Sequence, residues 1–192
     1  LCFGGWQDDR QERPPSETFE TGWDYYNHHA LEPHAFPFAC VVLRCYRHSF
    51  LQENGLLFRE GILHEDNHFT PRACFAAGKV KTIPDPLYHY RVRPGSIMTT
   101  RGLQSKQSLI LLSNDLSRFF AQKTDVSLEV VFRYLTQCYQ MAFVSASRDD
   151  DRQLLPLVDW GGYHRVSRTK LRHRINYTAL SLSPTLFRLI DK

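Results

Sequence analysis

The hydrophobic pattern of this chain changes near residue 100, and that change limits the folds open to it. Before it, apolar residues come in short runs punctuated by Gly and Pro. Ala39–Tyr46 is an apolar run interrupted by Arg44, and Lys79–Pro84 and Leu87–Val92 are short, partly alternating runs bounded by Pro84, Pro86 and Pro94. These read as strands, with short helices expected over Thr21–Leu31, Ser49–Asn54 and Glu65–Ala77. After residue 100 the period becomes helical. Leu103–Gln122 puts Leu109, Leu112, Leu116, Phe119 and Phe120 on one side. Ser127–Ser147 does the same with Val130, Val131, Tyr134, Leu135, Cys138 and Met141. Tyr163–Lys192 is basic and ends in a helix expected over Pro184–Ile190, started by Ser183 with Pro184 in its first turn. The expectation is an α/β piece over residues 1–100 and a helical region over 101–192, basic at its end.

At 192 residues and 42% hydrophobic, with 13 Phe, 9 Tyr and 3 Trp, the chain can fill a core, which excludes disorder over most of its length. No apolar run approaches the roughly 18 to 20 residues needed to cross a bilayer, and the start lacks a signal-peptide layout. The chain opens on Leu1 and not Met, and Leu1-Cys2-Phe3-Gly4-Gly5 reads like the end of a strand, so it is expected to begin partway through a longer protein. Five cysteines, at 2, 40, 45, 74 and 138, form no C-x-x-C pair and have apolar or aromatic neighbours. Reduced, mostly buried thiols and a cytoplasmic setting are expected. Net charge, His excluded, runs from −6 over residues 1–66 through +4 over 67–159 to +6 over 160–192. Such a gradient reads either as a solvated basic face or as a contact for an anionic membrane surface or nucleic acid. The acidic first third gives no continuous basic groove and no nucleic-acid motif occurs, so nucleic acid is not an expected partner.

His64-Glu65-Asp66-Asn67-His68 matches H-E-x-x-H, in which two histidines one helical turn apart hold zinc and the glutamate activates its water. The context speaks against that chemistry. Position 71 is Pro where the longer pattern wants Gly, no His follows in register, and the next glutamate is the remote Glu129. Gly61 and Pro71 also leave little room for a long helix. Read differently, Glu65 and Asp66 are two carboxylates at a helix start, where the dipole and unpaired amides favour an ionised anion.

Four segments occur in order: Tyr46-Arg47-His48-Ser49-Phe50-Leu51, then Asn54-Gly55-Leu56-Leu57-Phe58-Arg59-Glu60-Gly61, then His64-Glu65-Asp66 with Phe69-Thr70, then Leu87-Tyr88-His89-Tyr90-Arg91 with Arg93 and Ser96-Ile97-Met98-Thr99. The series resembles the acceptor-binding half of family 2 glycosyltransferases, enzymes of GT-A type that build bacterial surface polysaccharides. The likeness covers about residues 1–100, and the tail ending in Leu182-Ser183-Pro184-Thr185-Leu186-Phe187-Arg188 is similar to theirs, though less specific.

The resemblance implies an incomplete GT-A-like sheet followed by a helical region, and a fragment of an inverting transferase. Its partners would be a nucleotide-sugar donor and a saccharide or lipid-linked saccharide acceptor. Asp66 would be the general base and Glu65 either a supporting residue or a helix cap. Arg91, Arg93 and Ser96 would meet the donor diphosphate, with Gly95 admitting a close backbone approach, and His89 would complete a metal site. The implied cofactor is Mg²⁺ or Mn²⁺, held mostly by a preceding nucleotide-binding half with an Asp-x-Asp motif. The close acidic pair upstream, Asp8-Asp9, lacks that spacing. The implied location is cytoplasmic, peripheral on the inner membrane. The alternative is a noncatalytic peripheral-membrane or interaction module with a basic helical tail. Trp23, Tyr25, Tyr26, His28 and His29 form an aromatic cluster that reads as core packing or as a platform for a sugar face.

Overall fold

The computed structural model describes residues 2–6, 16–30, 39–88, 102–124 and 126–191, the side chains of 2–6, 86 and 87 excepted. The chain divides into two compact units, Leu1–Glu60 with Glu65–Ser96, and Gly61–His64 with Ile97–Lys192. It is an α/β fold with a helical C-terminal region.

In the first unit the described residues form a four-stranded sheet of β1 (Cys2–Trp6), β2 (Thr18–Phe19), β3 (Arg44–Cys45) and β4 (Val80–Tyr88), in the order β2-β4-β1-β3. β1 runs parallel to β4, while β1–β3 and β2–β4 are antiparallel. The sequence reading divides β4 into two strands at its prolines, but the structure runs one strand through both. Pro84 and Pro86 have no N–H for the ladder, so the register slips: Gly4 pairs with Ile83, but Gly5 pairs with Pro86 and Trp6 with Tyr88. The sheet absorbs the prolines as a bulge instead of ending at them.

The Ala39–Tyr46 expectation needs correction. Val41–Leu43 is a 3-10 turn and only Arg44–Cys45 is strand. The run is apolar without alternating, so it can pack in either form, and Arg44 Nη1 reaches back to the Cys40 carbonyl at 2.6 Å.

Three helices complete the described part of this unit: α1 (Gly22–His29), α2 (His48–Glu53) and α3 (Glu65–Ala76). Thr21 caps α1, its Oγ1 accepting from the Asp24 N–H at 3.0 Å. α1 meets the end of α3 at a glycine: Gly22 N–H donates to the Ala77 carbonyl at 2.7 Å, and a Cβ on Gly22 would collide with the Cys74 carbonyl. α3 spans almost the residues expected from sequence and continues through Pro71. The proline is buried in its second turn, and the helix forgoes one bond there without breaking. The core holds Trp23, Tyr25, Tyr26, Leu43, Phe69, Ala73 and Val80. Trp23 stacks on Tyr26 at 4.9 Å, so these three aromatics of the cluster are packing and not an exposed sugar platform.

The second unit is helical: α4 (Leu103–Ala121), α5 (Glu129–Val144), α6 (Arg148–Leu154), α7 (Trp160–Ser167), α8 (Leu171–Leu182) and α9 (Pro184–Ile190). Leu109, Leu112, Leu116 and Phe120 are buried on α4, and Val131, Leu135 and Cys138 on α5, as the helical period predicts. Met141 does not follow: it is 58% exposed, and Tyr139, Ala142 and Phe143 carry the buried side instead. Asn114 joins three segments, its Oδ1 accepting from Tyr139 Oη at 2.7 Å and Asp159 N–H at 3.0 Å while Nδ2 donates to the Leu157 carbonyl at 2.7 Å. Asp159 caps α7 through the Gly162 N–H. Lys106, also buried, donates to Asp150 at 2.7 Å and to the Ser145 carbonyl at 3.0 Å. α9 spans the predicted residues, with Ser183 Oγ accepting from Thr185 N–H at 3.2 Å.

Among the described cysteines, Cys74 and Cys138 are buried free thiols, which burial pushes up to about 11 and about 12. Cys40 is half-buried and Cys45 is exposed, which corrects the expectation of mostly buried thiols: Cys45 lies on a two-residue strand whose neighbours do not cover it.

Candidate functional site

The residues around the start of α3 gather the chemistry of the first unit. Gly61 turns at φ +76°, and His64 takes φ +62°, a left-handed backbone that a residue with a Cβ adopts rarely and at a cost. His64 Nε2 is hydrogen-bonded with Ser105 Oγ at 2.7 Å, and Leu63 N–H donates to Ser108 Oγ at 2.9 Å. These bonds lie within the second unit, to which Gly61–His64 belong.

Glu65 and Asp66 occupy the first turn of α3, as expected from sequence. Glu65 is exposed and Asp66 is half-buried. Asp66 Oδ1 accepts from the Asn67 N–H at 2.8 Å. The helix start does not act alone on the Asp66 carboxyl. Burial above all, then the neighbouring Glu65 charge, push its pKa up, outweighing the Asn67 N–H and the Arg44 guanidinium, which pull it down. Desolvation of a carboxylate outweighs one amide bond and a cation.

Arg44 is the residue the sequence reading passed over. It is only 7% exposed, carried on β3. Burial opposes its charge, but Tyr25, Cys74 and Tyr46 favour it and raise its pKa further. Burial holds Tyr46 and Cys74 in their neutral forms, so the cation persists among neutral groups. Cys40, beside both Arg44 and Asp66, is also pushed up, first by burial and then by the Asp66 charge. The available signal was a lone arginine inside an apolar run, which is seldom tolerated in a core unless its charge is used.

The arrangement offers a half-buried carboxylate of raised pKa in the field of a buried guanidinium. Such a group can accept a proton from a hydroxyl brought to it. His89, Arg91, Arg93 and Ser96 lie outside the described residues, as do Asp8 and Asp9. The H-E-x-x-H residues do not make a metal site: His64 stands before the helix in left-handed backbone while His68 is buried within it. Among the described residues the group of donors close enough to hold a metal is Glu17, His28 and His29. No described helix is long and apolar enough to cross a membrane.

Comparison with known proteins yields no match: no family model fits the chain, and no curated protein or solved structure is significantly similar to it.

Proposed function

We propose that this chain is the acceptor-side part of an inverting glycosyltransferase of family 2 type, with Asp66 as general base. The observation that carries the reading is the half-buried Asp66 at the start of α3, with its pKa raised by burial beside Arg44. A carboxylate whose pKa is raised binds the incoming proton more firmly. In the reaction, the acceptor hydroxyl gives its proton to the Asp66 carboxylate as its oxygen bonds to the anomeric carbon of the donor. The bond from that carbon to the nucleoside diphosphate breaks on the opposite face. Arg44 steadies the carboxylate before the proton arrives, and Glu65, exposed next to it, is free to orient an acceptor hydroxyl. Arg91, Arg93 and Ser96 would receive the diphosphate, and His89 would reach its metal. The described residues around Asp66 do not themselves compose a donor set for Mg²⁺ or Mn²⁺.

The test is release of nucleoside diphosphate from a panel of nucleotide sugars by the full-length polypeptide carrying this chain. Asp66→Asn should lose at least about a hundredfold in turnover with its fold retained. Full turnover in that variant rules out Asp66 as the base.

A second reading is favoured by a different observation. α8 and α9 expose Leu171, Ile175, Leu182, Leu186, Leu189 and Ile190. Several of them line a groove of about 410 Å³, and Arg168, Lys170, Arg172 and Arg174 lie on or just before the same helix α8. Apolar side chains flanked by cations suit an anionic lipid surface. Sedimentation with phosphatidylserine or phosphatidylglycerol vesicles should pull the protein down at low salt and release it at high salt. Loss of binding in a Leu171→Ser, Ile175→Ser, Leu182→Ser variant, with transfer to a soluble acceptor intact, would establish docking separately from catalysis.

A further inference from the structure

We infer that Glu17, His28 and His29 form a binding site for one divalent transition-metal ion, with zinc the best match. The site is independent of the glycosyl-transfer reading and of the Mg²⁺ or Mn²⁺ implied there.

The three residues come from two successive segments, the approach to β2 and the end of α1. Glu17 lies immediately before β2, and its backbone is fixed to β4: its N–H donates to Thr82 Oγ1 at 2.8 Å and its carbonyl accepts from the Thr82 N–H at 2.9 Å. His28 and His29 are the last two residues of α1. Consecutive helical residues point about 100° apart, so neighbouring histidines do not ordinarily meet at one point. Here the two imidazoles cross at 83° with centroids 4.6 Å apart. The Phe19 ring packs against both imidazoles, its centroid 5.7 Å from that of His28 and 5.6 Å from that of His29. Tyr25 packs on His29 at 4.9 Å.

One nitrogen from each histidine and one oxygen of Glu17 all lie within 4.8 Å of one another. Donors bound tetrahedrally at about 2.0–2.2 Å stand about 3.3–3.6 Å apart, so modest side-chain rotations close the set around an ion. His28 is exposed and Glu17 and His29 half-buried, which leaves room for that movement. The electrostatics agree. The carbonyl end of α1 carries the negative pole of the helix, and residues 1–66 hold 11 acidic against 5 basic groups.

Ligand type selects the metal. Two imidazoles and a carboxylate suit Zn²⁺, Co²⁺ or Ni²⁺, whereas Mg²⁺ and Ca²⁺ prefer oxygen throughout. Three protein ligands leave a fourth position for water. A bound ion would tie the edge of the sheet, through β2, to the end of α1, a connection otherwise made by aromatic contacts.

The test uses tag-free protein stripped with a chelator and dialysed. Titration calorimetry with Zn²⁺, and the absorption of Co²⁺ in its place, should give one ion per chain, with an intense visible band of tetrahedral type. Zinc should also raise the melting temperature, as any ligand of the native state does. Glu17→Gln, His28→Gln and His29→Gln should each weaken binding by at least about tenfold and shrink the melting shift. His48→Gln and His164→Gln should change neither. Because His28 is exposed, His28→Gln alone keeps the test valid if a variant at Glu17 or His29 fails to fold. Substoichiometric zinc, or undiminished affinity in His28→Gln, overturns the proposal. Absence of transfer activity in the parent protein with zinc binding intact would count against the enzymatic reading and leave this site standing.

Discussion

The guanidinium of Arg188 grips the carboxylate of Asp151 through two hydrogen bonds, Nη1 to Oδ1 at 3.1 Å and Nη2 to Oδ2 at 2.6 Å. Nη1 also donates to the Phe143 carbonyl at 3.0 Å, so one side chain on α9 ties that helix to α6 and the end of α5. The bond to Asp151 is the main cause that raises the Arg188 pKa. Asp151 is only 7% exposed, so removing its partner leaves a carboxylate that water reaches poorly. Arg188→Met should cost about 2–3 kcal/mol, read as a lower urea midpoint at unchanged slope.

Asp66 makes the opposite contribution to stability. Its folded pKa lies above its unfolded value, chiefly through burial, so between the two values the folded state holds the extra proton. Stability is therefore lost as pH rises through the folded pKa, and above it the ionised carboxylate works against the fold. Asp66→Asn should melt higher than the parent at about pH 7, and the gap should close as the pH is lowered towards about 4. A variant that melts lower than the parent at neutral pH would contradict this assignment.

Arg44 should shift the acid limb of activity. Its charge is the cation that holds the Asp66 pKa down. Arg44→Met removes that charge and should move the acid limb of the turnover profile to higher pH. It also deletes the 2.6 Å bond to the Cys40 carbonyl, costing about 1–3 kcal/mol in the melting of the first unit. An unchanged pH profile would remove Arg44 from the site.

Gly22 should accept no side chain. The 2.7 Å bond from its N–H to Ala77 draws α1 against the Cys74 carbonyl, and backbone atoms cannot yield as a flexible side chain does. Gly22→Ala should destabilise by about 1–3 kcal/mol through overpacking, despite alanine's better helix propensity. Urea denaturation followed by Trp fluorescence reads this directly, since Trp23 is the next residue.

Local signals were legible where local physics acts. Ser183 and Pro184 defined α9 to the residue, because a side-chain cap and a fixed φ operate within one turn. The periodic leucines of α4 landed in the core. Glu65 and Asp66 sit at the helix start that the sequence indicates, but the influence that dominates the Asp66 carboxyl is burial. The dipole and the amide are visible in sequence, whereas the burial that outweighs them is set by what packs around the turn. Arg44 was seen only as an interruption for the same reason.

The texture change near residue 100 and the rise in positive charge along the chain belong to the sequence alone. Each follows from residue spacing and composition, which no packing alters. Tertiary structure alone decided three things: that β4 runs through two prolines, that the Arg44 charge acts on Asp66, and that Glu17, His28 and His29 bring their donor atoms together. Desolvation and charge proximity are sums over neighbours brought in from distant positions, and those neighbours exist only once the chain has folded.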